Sequence, residues 1–123
     1  MPILDIEIVQ ADGAPALAAG LAQILADAAG RSLGAAPGRT WVRLRSLPAS
    51  HYAKSEGAVP AGELPAFVTL LHARPPQGET LADEVRALTL ALAVCLGRAP
   101  ERVHLQYAPP GAGHQAFGGA LVR

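Results

Sequence analysis

The sequence predicts an α+β fold: two β-α-β units forming a four-stranded mixed sheet with two helices on one face. Three observations predict it. Period-two runs of β-branched and aliphatic residues mark four strands. Apolar residues at helical spacing mark two helices between them. The order of elements in the first half recurs in the second.

Ile3 to Val9 opens the chain as a strand. Leu4, Ile6 and Ile8 fall on one side, and Asp5 and Glu7 on the other. Asp12-Gly13-Ala14-Pro15 reads as a turn into a helix, with Pro15 near the first helical position, where a missing N–H is tolerated. Leu17, Leu21, Ile24, Leu25 and Ala28 line that helix, and Gly30 is placed to end it. Thr40 to Arg45 alternates again. Val42 and Leu44 share one face; Trp41, Arg43 and Arg45 share the other.

In the second half, Phe67 to His72 reads as a strand. Thr80 is placed to cap a helix whose early Asp83 and Glu84 suit its positive end. Leu81, Val85, Leu88, Leu92 and Leu96 give that helix its apolar side, and Gly97 closes it. Val103, Leu105 and Tyr107 alternate with His104 and Gln106 as the fourth strand.

A fixed offset of 63 relates the halves, about residues 1–60 and 64–123 of a single domain. Pro2 falls on Pro65, Pro37 on Pro100, Arg39 on Arg102 and Trp41 on His104. Right-handed crossovers put both helices on the same side of the sheet. The opposite face then carries Trp41, Arg43, Arg45, His104 and Gln106. An uncovered sheet face in so short a chain predicts packing against further copies.

Composition narrows the function. Ten Lys and Arg balance ten Asp and Glu, so no basic footprint for nucleic acid arises. No apolar run reaches the roughly 18 residues of a membrane span, and no leader pattern opens the chain. A cytoplasmic protein with neither nucleic-acid nor membrane partner is the expectation. The lone Cys95 reads as a small buried hydrophobe. The histidines are too scattered for a metal motif, and the late glycines do not follow a strand and open a helix as a dinucleotide loop would. No metal and no cofactor are expected.

Met-Pro-Ile-Leu running straight into a strand, the duplicated β-α-β order, and the terminal Ala116-Phe117-Gly118-Gly119-Ala120-Leu121 segment together resemble the tautomerase superfamily over essentially the whole chain. The resemblance implies a fused pair of β-α-β units assembling as a homotrimer. It implies that Pro2, made N-terminal by removal of Met1, is the catalytic amine. Arg43 matches the arginine that binds a substrate carboxylate in the 4-oxalocrotonate tautomerase branch, where a neighbouring subunit supplies it. Arg74, just past the third strand, matches an arginine of the decarboxylase branch. That branch's second arginine would fall near Pro76, and its aspartate near Pro37-Gly38, where this sequence has no carboxylate. The aromatic that closes the pocket in short members would fall near Gln115, with Phe117 close enough to substitute.

The implied activity is keto–enol proton transfer on a 2-oxo acid or dienol carboxylate, with Pro2 as general base. Arg45 and Trp41 join the candidate substrate-binding residues from the open sheet face. His51 and Tyr52 are placed in a hairpin or flap over the pocket. Each has a plainer alternative: a solvated strand face for Arg43 and Arg45, a loop charge for Arg74, an interface wall for Trp41. Two other readings stay open. One is a hydratase, dehalogenase or decarboxylase chemistry in which the protonated proline acts as general acid. The other is a non-catalytic trimeric binding module.

Overall fold

The computed structural model describes residues 1–123. Strand β1 (Pro2–Gln10) leads through α1 (Leu21–Ser32) to β2 (Trp41–Pro48), and β3 (Ala66–His72) leads through α2 (Gly78–Leu96) to β4 (Val103–Tyr107). The sheet order is β2-β1-β3-β4. Strands β1 and β2 are parallel, as are β3 and β4, and the two pairs meet antiparallel along β1 and β3. The duplicated order read from the sequence is therefore the observed one. A two-residue hairpin, β5 (Ala116–Phe117) and β6 (Ala120–Leu121), closes the chain.

Register fixes the two faces. Leu4 lies opposite Val42 and Leu70, Ile6 opposite Leu44 and Val68, and Leu70 opposite Tyr107. These residues meet Leu25 and Ala29 of α1 and Leu88, Leu92 and Ala93 of α2 in one apolar core. The other face presents Asp5, Glu7, Arg43, Arg45, Phe67, His104 and Gln106, and no element of the chain covers it.

Three local expectations need correction. The first helix starts at Leu21, not near Pro15, because Gly20 in the left-handed conformation (φ 86°) turns the chain into it. Leu17 still packs on the core from outside the helix. Gly30 does not end α1, which runs on to Ser32. A Cβ at Gly30 would lie 3.3 Å from Thr40 Oγ1, so this glycine permits close approach of the segment entering β2. Thr80 is inside α2, which is entered from Gln77 with no side-chain cap; Gly97, at φ 64°, closes the helix as expected.

Candidate active site

Because β1 and β3 run antiparallel, the start of β1 lies beside the end of β3, and the parallel partners bring the start of β2 and the end of β4 to the same edge. Pro2 is opposite His72, and Trp41 is opposite Ile3. After β4 the chain keeps pairing with β3: the N–H groups of Ala108, Gly111 and Ala112 donate to the carbonyls of Leu70, His72 and Ala73. It then folds back, with Gly113 donating to Val122 and Val122 to Gln115. This return stacks Phe117 on Trp41, ring centroids 4.6 Å apart and planes 22° apart.

Pro2 is buried at this edge, and Met1 occupies the space in front of it. A Cβ on the buried Gly111 would overlap Met1 Cε, and would also meet Leu71 Cδ1 at 3.3 Å and Gln115 Cβ at 3.5 Å. With Met1 attached, Pro2 lines none of the principal clefts of the single chain. Burial holds the Met1 α-amino group below its ordinary value, and the nearby Arg39 guanidinium adds to the effect. Arg74 is exposed two residues beyond His72 and has no carboxylate within ion-pair distance. Arg39 was visible in the sequence only as the repeat partner of Arg102; its place just before β2 is the signal that brings it here.

Behind Pro2, on the helix side, sits a polar cluster unusual for this core. Glu84 of α2 accepts a hydrogen bond from Tyr107 Oη at 2.5 Å, and the same Oε1 is 3.8 Å from His72 Nε2. Burial, followed by the bond to Glu84 and its charge, pushes the Tyr107 phenol well above its usual range. The sequence places Glu84 near the start of the second helix, His72 at the end of the third strand and Tyr107 in the fourth, and gives none of them a site role.

The remaining candidates lie elsewhere in the chain. Arg43 is on the open sheet face, where Nε and Nη2 donate to Asp5 Oδ1 and Oδ2 at 2.6 and 2.8 Å. Arg45 is 3.9 Å from Glu7. His51 and Tyr52 follow β2 and so stand at the far edge of the sheet. There Tyr52, Lys54, Glu63, Pro65, Arg102 and His104 line a cavity of about 260 Å³. This is the counterpart, by the chain's internal repeat, of the Pro2 edge. Its Pro65 nitrogen is in a peptide bond, and Glu63 pairs with Arg102 at 2.8 Å. The chain thus gathers Pro2, Arg39, Trp41, Arg74 and Phe117 at one edge, and does not bring Arg43, Arg45, His51 or Tyr52 to it.

No protein-family model and no curated protein matches the chain. Solved structures do. A wild-type fused 4-OT that forms a symmetric trimer is similar with a TM-score of 0.72 at 21% identity, over 98% of this chain and 94% of its own. A macrophage migration inhibitory factor from Oncomelania hupensis is similar with a TM-score of 0.71 at 17% identity, over 99% and 82%. A malonate semialdehyde decarboxylase is similar with a TM-score of 0.66 at 16% identity, over 94% and 90%. The chain has the fold of these proteins along nearly its whole length.

Proposed function

We propose that the chain is a tautomerase-superfamily isomerase, independent of cofactors, whose general base is the Pro2 amine exposed by removal of Met1. The substrate is a 2-oxo acid or dienol carboxylate. The observation that carries this reading is the buried start of β1, where a terminal amine is held below its ordinary value beside Arg39. An α-amino group titrates ordinarily at about 7.7–8.0. Once Met1 is gone the terminal amine is that of Pro2, one residue further into the same edge, and on this reading desolvation there and Arg39 lower it in the way they lower the Met1 amine. A neutral secondary amine so placed takes a proton α to a carbonyl and returns it to another atom of the substrate. Arg74, free of carboxylate partners, suits the substrate carboxylate, and the Trp41–Phe117 stack provides an apolar wall.

The homotrimer belongs to the same reading. The open sheet face carries Arg43, Arg45 and His104 with no strand or helix of its own chain over it, and the fused 4-OT of the same fold is a trimer. In the resemblance the arginine that Arg43 matches comes from a neighbouring copy; Arg45, His51 and Tyr52, which lie away from the Pro2 edge of their own copy, reach a substrate only by the same route. That route would make them substrate-binding residues.

The test begins with the intact mass of the native protein, followed by phenylpyruvate enol–keto assays of the wild type and Pro2→Ala. The expected result is a mass lacking Met1 and loss of activity of about 100-fold or more, the scale of a general base. Activity indifferent to Pro2 overturns the proline mechanism; a retained Met1 with no activity leaves the non-catalytic trimeric module.

A further inference from the structure

We propose that His72 is a positioning residue for the Pro2 amine, held in place by Glu84 and Tyr107. The inference rests on the Pro2 reading above but on a different set of atoms. Directly opposite residues on antiparallel strands have Cβ atoms about 4.5–5.5 Å apart, and Pro2 and His72 are such a pair. Both are on the helix side of the sheet, in phase with Leu4 and Leu70. The imidazole Nδ1 is buried and has no hydrogen-bond partner in the chain with Met1 attached. A buried polar atom left this way costs free energy, so the missing partner calls for explanation.

Removal of Met1 supplies one. While Met1 is attached, the Pro2 nitrogen is a tertiary amide with no hydrogen to donate. The freed proline is a secondary amine with one N–H when neutral and two when protonated. Glu84 faces Nε2 across 3.8 Å, too far for a direct bond but close enough to favour the tautomer with its proton on Nε2. Nδ1 is then an acceptor. Tyr107 donates to the same carboxylate oxygen and so fixes the side chain that faces the imidazole.

A neutral proline amine has one N–H and one lone pair. Anchoring the N–H on His72 leaves the lone pair directed away from the core, toward the edge where substrate arrives. The second ammonium hydrogen is then the one transferred. The groups facing His72 are Glu84 from α2, Tyr107 from β4 and the terminal amine from β1. Arg39, just before β2, lowers the Met1 amine at the same edge.

The experiment follows the Pro2 amine by ¹⁵N NMR titration, together with pH–rate profiles, in the Met1-lacking wild type, His72→Leu, His72→Asn and Tyr107→Phe. Asn keeps an acceptor near the Nδ1 position. Loss of the acceptor in His72→Leu destabilises the protonated amine, so its titration and the acid limb of the rate move to lower pH. The plateau kcat falls about tenfold with KM nearly unchanged, a modest share of what a positioned base contributes. His72→Asn restores both, and Tyr107→Phe gives the same changes in smaller measure. A second readout needs no substitution: the His72 Nδ1 resonance shifts between Met1-retaining protein, made by inhibiting methionine removal during expression, and mature protein. Unchanged amine titration in His72→Leu, or an Nδ1 resonance indifferent to Met1, overturns the inference. Activity that survives Pro2→Ala instead overturns the general-base reading, while the amine titration still reports whether His72 binds the amine.

Discussion

Asp5 and Arg43 lie directly opposite on β1 and β2 and close a two-point pair, carboxylate to guanidinium, at 2.6 and 2.8 Å. The arginine that the sequence reading assigns to a substrate carboxylate therefore already has a carboxylate from its own chain. For Arg43 to serve a substrate in a neighbouring copy, it must either use the N–H donors that Asp5 leaves free, on Nη1 and Nη2, or exchange Asp5 for the ligand. The pair is open to solvent, with the Arg43 side chain 71% exposed, so in the single chain it adds little to stability.

The acid response of this pair has a definite sign. The hydrogen bond from Arg43, more than the charges of Arg43 and Arg45, holds the Asp5 carboxyl below its usual value against some desolvation. A depressed carboxylate contributes stability above its unfolded pKa of about 3.9 and loses it as pH falls through the folded value. Denaturant midpoints at pH 7 and pH 3 should thus fall further in the wild type than in Asp5→Asn, by a small margin that added salt narrows. Equal falls in the two proteins would show that the pair does not persist in solution.

Gly111→Ala separates two forms of the protein. With Met1 present the new Cβ overlaps Met1 Cε, the free end of a flexible side chain that must swing aside, so the cost sits at the low end of overpacking, about 1 kcal/mol. Without Met1 the nearest atoms are the flexible end of Leu71 and Gln115 Cβ, at 3.3 and 3.5 Å, and the cost is smaller. Chemical denaturation of both forms checks this. Equal destabilisation would mean that Met1 does not lie against Gly111.

The Trp41–Phe117 stack fastens the terminal hairpin to the start of β2. A double-mutant cycle of Trp41→Ala and Phe117→Ala should give a coupling of about 0.5–1.5 kcal/mol, and either variant should expose the segment after Gln115 to proteolysis. A coupling near zero, with the tail still protected, would leave the hairpin held by the Gly113, Gln115 and Val122 backbone bonds alone.

How much of this was legible in the sequence follows from what a sequence encodes locally. Alternation gave the strand faces, because one buried side forces a period of two: Leu4, Ile6 and Ile8 inward, Asp5 and Glu7 outward. The offset that pairs Pro2 with Pro65 anticipated the two related edges of the sheet. Glycine roles were less legible. Gly30 permits close approach to Thr40 rather than ending a helix, and composition cannot tell these uses apart. Pairings across strands were the least legible. That Arg43 is held by Asp5, or that His72 faces Pro2, depends on register between segments distant in the chain. His51 and Tyr52 illustrate the same limit. Their nearness to β2 in sequence puts them at the end of that strand, whereas Pro2 lies at its beginning.

Arg39 offers the most direct check on the electrostatics of the proposed site. For the Met1 amine burial is the larger reason for the lowering and Arg39 the smaller; if the Pro2 amine inherits that setting, Arg39→Ala removes a like-charge repulsion and leaves the desolvation in place. The amine of the variant then titrates higher than in the wild type, though still below its ordinary value. For a general base this reduces the free-amine fraction on the acid side. The rising limb of kcat/KM moves to higher pH, and the two enzymes converge once both amines are neutral. Arg74→Ala, which removes no charge acting on the amine, should instead raise KM about tenfold for a carboxylate substrate, the scale of one charge-assisted hydrogen bond, and leave the limb where it was. If the rate falls with rising pH through the same interval, the amine works as a general acid, and the Arg39 variant then extends the active range upward.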